Sequence, residues 1–322
     1  MAGNVWVVAE QWKWSISDAT HELLALGRGL ADSLGVRLEA VLLGQGVREL
    51  AAALGPADSV LCVDDPALAD ATGLQASRAV AALASERAPA VILVATTNVS
   101  WDLLGLLPGR LGAPLVNFCR KVEVIDGALQ VTSVLYGGKM AVTVAAGPGP
   151  VVLAILPGVA TAAAGSTAPP VEEVAVDLPG DPGVRLLEYE EPEAGDVDIT
   201  QQEALVAVGR GISSEANLEV AEDLAAALGG AVCGSRPVID QGWLPLVRQV
   251  GKSGVRVKPR LYVAAGISGA PEHVEGMKDS EVIVAVNTDA GAPIFAVAHY
   301  GIVDDATDVL EALAEAVRKR KG

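Results

Sequence analysis

The feature that most constrains this chain is a regular alternation of short, near-continuous apolar runs with stretches of helical spacing. Over the first 100 residues the runs VWVVAE, RLEAVLLG, SVLCVDD and AVILVATT are separated by segments whose apolar residues recur every three or four positions. In the first such segment, over 18–34, Leu23, Gly27, Leu30, Ala31 and Leu34 fall on one face. A strand without a polar side has to be covered twice, and a helix with one apolar stripe covers it once. The pattern therefore predicts a parallel sheet held between helices.

From 119 to 156 the rhythm changes. RKVEVID, ALQVTSVLY, KMAVTVAA and PVVLAIL follow one another closely, separated by DG, GG and GPGP, the punctuation of antiparallel hairpins. Residues 165–203 are rich in Pro, Gly and acid, with EEVAVDL and VRLLEYE as strand-like pieces, and the acidic end, 191–203, reads as a linker. The alternation then resumes with ALVAVGRGIS and a helix over 215–228 that carries Leu218, Ala221, Ala225 and Leu228 on one side. AAVCGSRPVID, LYVAAGISGAPEHVEGM, EVIVAVNTD, APIFAVAHYGIV and a final helix ending in RKRK complete it. The expectation is an α/β fold in two domains: an α/β domain over 1–190 with an added antiparallel β section, and a doubly wound parallel sheet over 204–322.

Composition removes several classes of function. A net charge of −17 and an isoelectric point near 4.5 oppose nucleic-acid binding, which needs a basic surface to displace counterions. Cys62, Cys119 and Cys233 are far apart with no metal-ligand spacing, and read as reduced thiols of a cytoplasmic protein. His21 and His299 have no partner pattern, so no metal site is expected. The start, MAGNVWVVAEQWKW, has no basic region before an apolar core; the apolar stretch 151–164 is broken by Pro157 and Gly158 and falls short of the ~20 residues of a membrane helix. Neither a signal segment nor membrane insertion is expected.

The unusual residues gather at strand ends of the second domain: Gly209-Arg210-Gly211, Gly234-Ser235-Arg236, VGKSG at 250–254 and SGAPEH at 268–273. In an open parallel sheet the carboxyl ends converge on one crevice, so segments distant in sequence share a site. In AAGISGAPEHVEGM (264–277) a strand ends in small residues and opens a short helix, which leaves backbone N–H groups facing an anion such as a pyrophosphate. These donors suit a phosphate-bearing, electron-rich ligand, a dinucleotide being the economical reading. Each segment also has a plainer reading. Gly209-Arg210-Gly211 is not a full GxGxxG, Arg236 suits a surface ion pair, and His273 suits an exposed position. Ser268 is not the nucleophile of a GxSxG elbow, because position 270 is Ala, and no catalytic residue is assigned.

Taken in order, GSRPVIDQGW, VGKSG and LYVAAGISGAPEHVEGMKDSEVIVAVNTDAGAPIFAVAHYGIVDD resemble the signature of the electron-transfer flavoprotein alpha subunit. VWVVAE, VLLG, VDDPAL and TTNVSWDLLGLLPGRLGAP resemble that family's first domain, so the likeness spans nearly the whole chain. The resemblance implies a heterodimer with a beta subunit that holds AMP or a second FAD, while this chain's C-terminal domain holds an FAD. It implies electron transfer from flavin dehydrogenases, such as the acyl-CoA dehydrogenases of fatty acid beta-oxidation, to a membrane quinone oxidoreductase. An alpha subunit of an electron-bifurcating, NADH-oxidising complex is the nearest alternative. An NAD(P)-binding Rossmann-type enzyme and a plain scaffold remain as readings from other classes.

Carried over by motif, the resemblance places Arg210 and Ser235 at the adenosine and pyrophosphate, and Arg236 against the isoalloxazine. Within the loop Val250, Gly251, Lys252 and Ser253, the Ser253 hydroxyl comes near flavin N5 and O4. Ser268, Gly269, Ala270, Pro271, Glu272 and His273 wrap the pyrophosphate, ribityl chain and pyrimidine edge, with His273 near O2. Asn287 and Asp305 hold the adenosine. A guanidinium beside the ring suits a flavin that gains negative charge on reduction, since Arg stays charged at any working pH. The chain departs from the family's usual Gln at Lys252 and at Glu272, from an apolar residue at Pro271, from Thr at Ser253 and from Asp at His299. Lys252 and Glu272 are of opposite sign: either they pair and keep the local charge, or each points to solvent or to the beta subunit. In the first domain, assigned to heterodimer contact, Trp101 and LLGLLPGRLG are candidate contact residues, with core packing the leading role of the leucines.

Overall fold

The computed structural model describes residues 3–69, 73–136, 138–147, 149–162, 165, 167–178, 184, 186–188 and 197–321. The chain divides into two compact units, Met1–Tyr189 and Glu190–Gly322. In the first, the strands are β1 (Val5–Val8), β2 (Gln11–Trp12), β3 (Ser15–Ile16), β4 (Leu38–Gly44), β5 (Ser59–Asp64), β6 (Val91–Ala95), β7 (Leu115–Ile125), β8 (Ala128–Leu135), β9 (Met140–Ala145), β10 (Val151–Ile155) and β11 (Val171–Glu173). The helices are α1 (Asp18–Leu34), α2 (Gly73–Arg87) and α3 (Trp101–Leu111). The Ser17 hydroxyl caps α1 by accepting from Thr20 N, and Gly35, at φ +66°, ends it in the left-handed conformation that Gly tolerates.

Nine strands form one sheet in the order β11-β5-β4-β1-β6-β10-β7-β8-β9. From β11 to β7 every pair is parallel, and β7-β8-β9 is an antiparallel extension at one edge. One reading from the sequence is corrected here. PVVLAIL is not a hairpin strand but β10, which lies parallel between β6 and β7 and is buried at all five positions. Its unbroken apolar run is the mark of a strand covered on both faces, and that signal outweighs the GPGP turn before it. EEVAVDL is strand only at its start, in β11; of VRLLEYE, residues 184 and 186–188 are described and are not strand.

The second unit holds β12 (Ala204–Val208), β13 (Ala231–Gly234), β14 (Leu261–Ala265), β15 (Val282–Val286) and β16 (Tyr300–Ile302), with α4 (Leu218–Leu228), α5 (Arg236–Asp240), α6 (Pro271–Glu275) and α7 (Ala306–Lys321). All five strands are parallel, in the order β13-β12-β14-β15-β16. Of APIFAVAHYGIV only Tyr300–Ile302 is strand, and Pro293–Ala296 is a turn of 3-10 helix. From the expected linker, 191–196 lie outside the described residues, while Ile199 is buried in this unit's core.

The two faces of this sheet are covered differently. On one, α4 and α7 pack over Val206, Val208, Val263 and Val286, with Leu224 and Leu310 buried; truncating either leucine to Ala costs roughly 2–5 kcal/mol. On the other, Leu205, Ala207, Cys233, Tyr262 and Ala264 lie under short pieces that contribute Val250, Val257, Met277 and Ile294. Short cover pieces bring irregular backbone, with its polar groups, close to the strand ends.

Candidate functional site

The strand order reverses at β12: the chain passes to β13 on one side and returns to β14 on the other. A switch point of this kind makes the carboxyl ends of β12 and β14 the candidate crevice, the place where ligands of such sheets bind. Gly209, Gly211 and Gly266 sit there backbone against backbone. Gly209 N donates to Ala265 O at 2.8 Å and Gly211 N to Gly266 O at 3.0 Å. A Cβ on Gly211 would lie 2.6 Å from the Gly266 Cα. The glycines of Gly209-Arg210-Gly211 therefore serve close approach of two strand ends, and Arg210 between them is exposed.

The stretch 264–277 turns as its small residues require. Gly266 (φ +65°) and Gly269 (φ +87°) are left-handed, and Gly269 is backed by Ile294, whose N–H donates to Ser268 O at 3.0 Å. The helix that follows is α6, of five residues, with Pro at its start. His273 N and Val274 N both donate to Ala270 O at 3.0 Å. The N–H groups of Ser268, Gly269 and Ala270 find no acceptor among the described residues, and three such donors in succession are a candidate cradle for an anion.

The 249–257 loop lies along this cradle. Val250 N donates to Gly234 O at 2.9 Å and Lys252 N to Glu272 O at 2.8 Å, so Lys252 and Glu272 are backbone neighbours. Gly276 approaches Gly251 so closely that a Cβ on it would meet Gly251 N at 2.5 Å. The exposed Ser253 accepts from the Nε2 of the buried Gln249 at 2.9 Å, which leaves its own O–H to donate outward. Ser235, also buried, precedes α5 without capping it; Arg236 is 69% exposed and 3.4 Å from Asp240.

His273 is buried rather than exposed, 6% accessible. Its Nδ1 is 3.1 Å from Val250 O and its Nε2 is 3.0 Å from the Tyr262 hydroxyl. Burial brings its pKa down to about 4, so the ring is neutral at ordinary pH. At the far side, Asn287 donates to Ile267 O at 3.0 Å and accepts from Asp289 N at 2.9 Å, joining β14 to β15. Asp305 accepts from Thr307 N at 2.8 Å as the cap of α7, and those N–H groups lower its pKa. The crevice thus gathers residues 250–253 and 268–273 around one backbone cradle, while Asn287 and Asp305 act locally on backbone.

Sequence reasoning missed Tyr262, Gln249 and the reason for Gly266. Tyr in the otherwise aliphatic strand LYVAA was the available signal, because a buried phenol needs a partner. His299, exposed, accepts from Ile283 N through Nδ1 at 3.0 Å, a role a carboxylate would fill equally. All three cysteines are free and buried, and burial pushes Cys119 and Cys233 up to about 12. Among the described residues no helix is long and apolar enough to cross a membrane, and no group of three His, Cys, Asp or Glu residues is placed to hold a metal.

The family described as "Electron transfer flavoprotein domain" matches residues 5–179, and the "Electron transfer flavoprotein FAD-binding domain" matches 198–278. The chain is 40% identical to "Protein FixB" of Clostridium saccharobutylicum, over 97% of this chain and 96% of that one. It is 34% identical to "Electron transfer flavoprotein subunit alpha" of Thermoanaerobacterium thermosaccharolyticum, over 99% and 98%. It is 35% identical to "Acryloyl-CoA reductase electron transfer subunit beta" of Anaerotignum propionicum, over 99% and 96%.

Proposed function

The chain belongs to the electron transfer flavoprotein alpha-subunit family, and from that premise we propose that it binds FAD in the crevice of its C-terminal unit and carries electrons between proteins. The observation that supports this most is the run of open N–H donors at Ser268, Gly269 and Ala270, where glycines bring backbone within reach of a diphosphate. Arg210 and Ser235 would hold the adenosine side, with Asn287 and Asp305 shaping the loops beside it. Arg236, Lys252 and Ser253 would face the ring, and Pro271, Glu272 and His273 would close the pyrimidine side beside Val250 and Gly251. FAD, when bound, supplies the electron-accepting chemistry. Arg236 offers a charge that no pH change removes, and Ser253, which accepts from Gln249, offers its O–H as a donor.

The partner in this reading is a beta subunit holding AMP, met through the N-terminal unit, where Trp101 is 38% exposed while Leu103, Leu104 and Leu107 are buried in the core. Donors are flavin dehydrogenases, acyl-CoA dehydrogenases of fatty acid beta-oxidation among them, and the acceptor is a membrane quinone oxidoreductase reached from the cytoplasm. Anaerobic mixing of the heterodimer with a reduced acyl-CoA dehydrogenase tests it. Flavin bleaching in the heterodimer, followed by reoxidation on adding the quinone oxidoreductase, is expected; no bleaching would oppose it.

The 35% identity to an acryloyl-CoA reductase electron transfer subunit favours a second reading, as the alpha subunit of an electron-bifurcating, NADH-oxidising complex. A second FAD in place of AMP in the beta subunit, with NADH oxidation, distinguishes it.

A further inference from the structure

Beneath the crevice, His273 and Val250 of the site are tied to a buried polar residue that has no part in it, Tyr262. Cys233 on β13 and Tyr262 on β14 stand on the same face of the sheet, in one core cluster. The phenol oxygen is 3.0 Å from His273 Nε2. His273 Nδ1 is 3.1 Å from Val250 O, and Val250 N returns to Gly234 O, the residue after Cys233, at 2.9 Å. The circuit therefore joins β13, β14, α6 and the 249–257 loop.

Each proton in this circuit has one consistent place. A carbonyl oxygen only accepts, so Nδ1 carries the hydrogen that goes to Val250 O. A neutral imidazole then has a bare Nε2, which must accept from the Tyr262 O–H. Tyr262 is fully buried and burial holds it far from ionising, so its single O–H is committed to Nε2.

We propose that Tyr262 is a positioning residue: its O–H, donated to Nε2, fixes His273 in the Nδ1–H tautomer and thereby clamps the 249–257 loop against the 268–273 cradle that receives the flavin. The proposal rests on the reading of that crevice as an FAD site. Its physical content is that the separation of the two loops depends on a hydrogen bond from a residue outside the crevice. Without the donor, Nε2 is left bare in an apolar pocket, and the ring gains by turning or taking the other tautomer, either of which releases Val250 O.

The test uses the heterodimer with 15N-labelled histidine in this chain alone, which holds three histidines; a His273→Gln sample assigns the His273 signal. The wild type is expected to show Nδ1 protonated and Nε2 bare. Tyr262→Phe, which keeps the ring, is expected to mix the tautomers and to speed FAD release about tenfold, the effect of losing one buried hydrogen bond. Cys233→Ala leaves the Tyr262 donor in place and is expected to keep the tautomer. A protonated Nε2 in the wild type overturns the proposal even if Tyr262→Phe fails to fold. Unchanged tautomer and release in a folded Tyr262→Phe also overturn it, as does slower folding stability alone with the tautomer intact. A wild-type heterodimer that binds no FAD removes the FAD reading instead, while the tautomer measurement still decides the role of Tyr262.

Discussion

Gly211 and Gly266 touch backbone to backbone: the Gly211 N–H donates to the Gly266 carbonyl at 3.0 Å, and a Cβ on Gly266 would lie 2.7 Å from the Gly211 Cα. The ends of β12 and β14 can meet in this way only if both positions lack a side chain. The open cradle of Ser268–Ala270 begins one turn beyond that contact. Replacing either glycine by Ala is expected to cost roughly 1–3 kcal/mol in overpacking, more at Gly266, whose φ of +65° also penalises any Cβ. Urea unfolding of the heterodimer measures the cost, and FAD content should fall with it. Wild-type stability in Gly266→Ala would mean the strand ends are not held this closely.

His273 gives the C-terminal unit a pH dependence with a definite sign. Burial lowers its folded-state pKa from an ordinary value of about 6.5 to about 4, so the unfolded chain binds more protons between those values. Stability is then full above about pH 6.5 and is lost as pH falls toward 4, by at most about 3 kcal/mol. His273→Gln should flatten this slope between pH 4 and 6.5. An equal slope in the variant would place the acid sensitivity elsewhere.

Lys252 and Glu272 are joined through Lys252 N and Glu272 O at 2.8 Å, which sets their side chains out from adjacent backbone. If the charges pair beside the flavin, the midpoint potentials of Lys252→Gln and Glu272→Gln shift in opposite directions and the shift of the double variant departs from the sum of the two single shifts. Strictly additive shifts would show two independent charges.

Among the described residues Arg236 is held by an exposed ion pair with Asp240 at 3.4 Å, a contact worth little and readily given up to a ligand. Arg236→Ala is expected to lower the flavin potential by tens of millivolts, about 59 mV for each tenfold loss of preference for the one-electron reduced form. Arg236→Lys should recover part of it. A potential unchanged in Arg236→Ala would leave the arginine as a surface residue.

His299 and Ile283 offer a test away from the crevice. The imidazole Nδ1 accepts the Ile283 N–H at 3.0 Å at the edge of β15. His299→Ala should cost about 1 kcal/mol of stability, whereas His299→Asp, which still accepts, should cost less. Equal losses would mean that the acceptor is not what the position supplies.

Much of this arrangement is legible in the sequence because apolar period and turn residues are local signals. The alternation of LYVAA and VIVAV with helical stretches marks a parallel sheet, and the Gly and Ser clusters after the strands mark its working end. PVVLAIL was misplaced because a GPGP turn suggests a hairpin, whereas its partners, β6 and β7, are chosen by burial on both faces. Tyr262 and Gly266 were missed for a different reason. Their roles depend on contacts with His273 and Gly211, and such contacts follow from strand order, which periodicity does not encode.

The central claim is that the C-terminal crevice holds FAD. The most direct measurement is to co-express this chain with its beta subunit, purify the complex without added cofactor, and count the nucleotides released on denaturation. One FAD per heterodimer, lost together with the yellow colour in Gly266→Ala, is the predicted result, with AMP or a second FAD separating shuttle from bifurcating complex. A colourless heterodimer that FAD does not reconstitute would contradict the account.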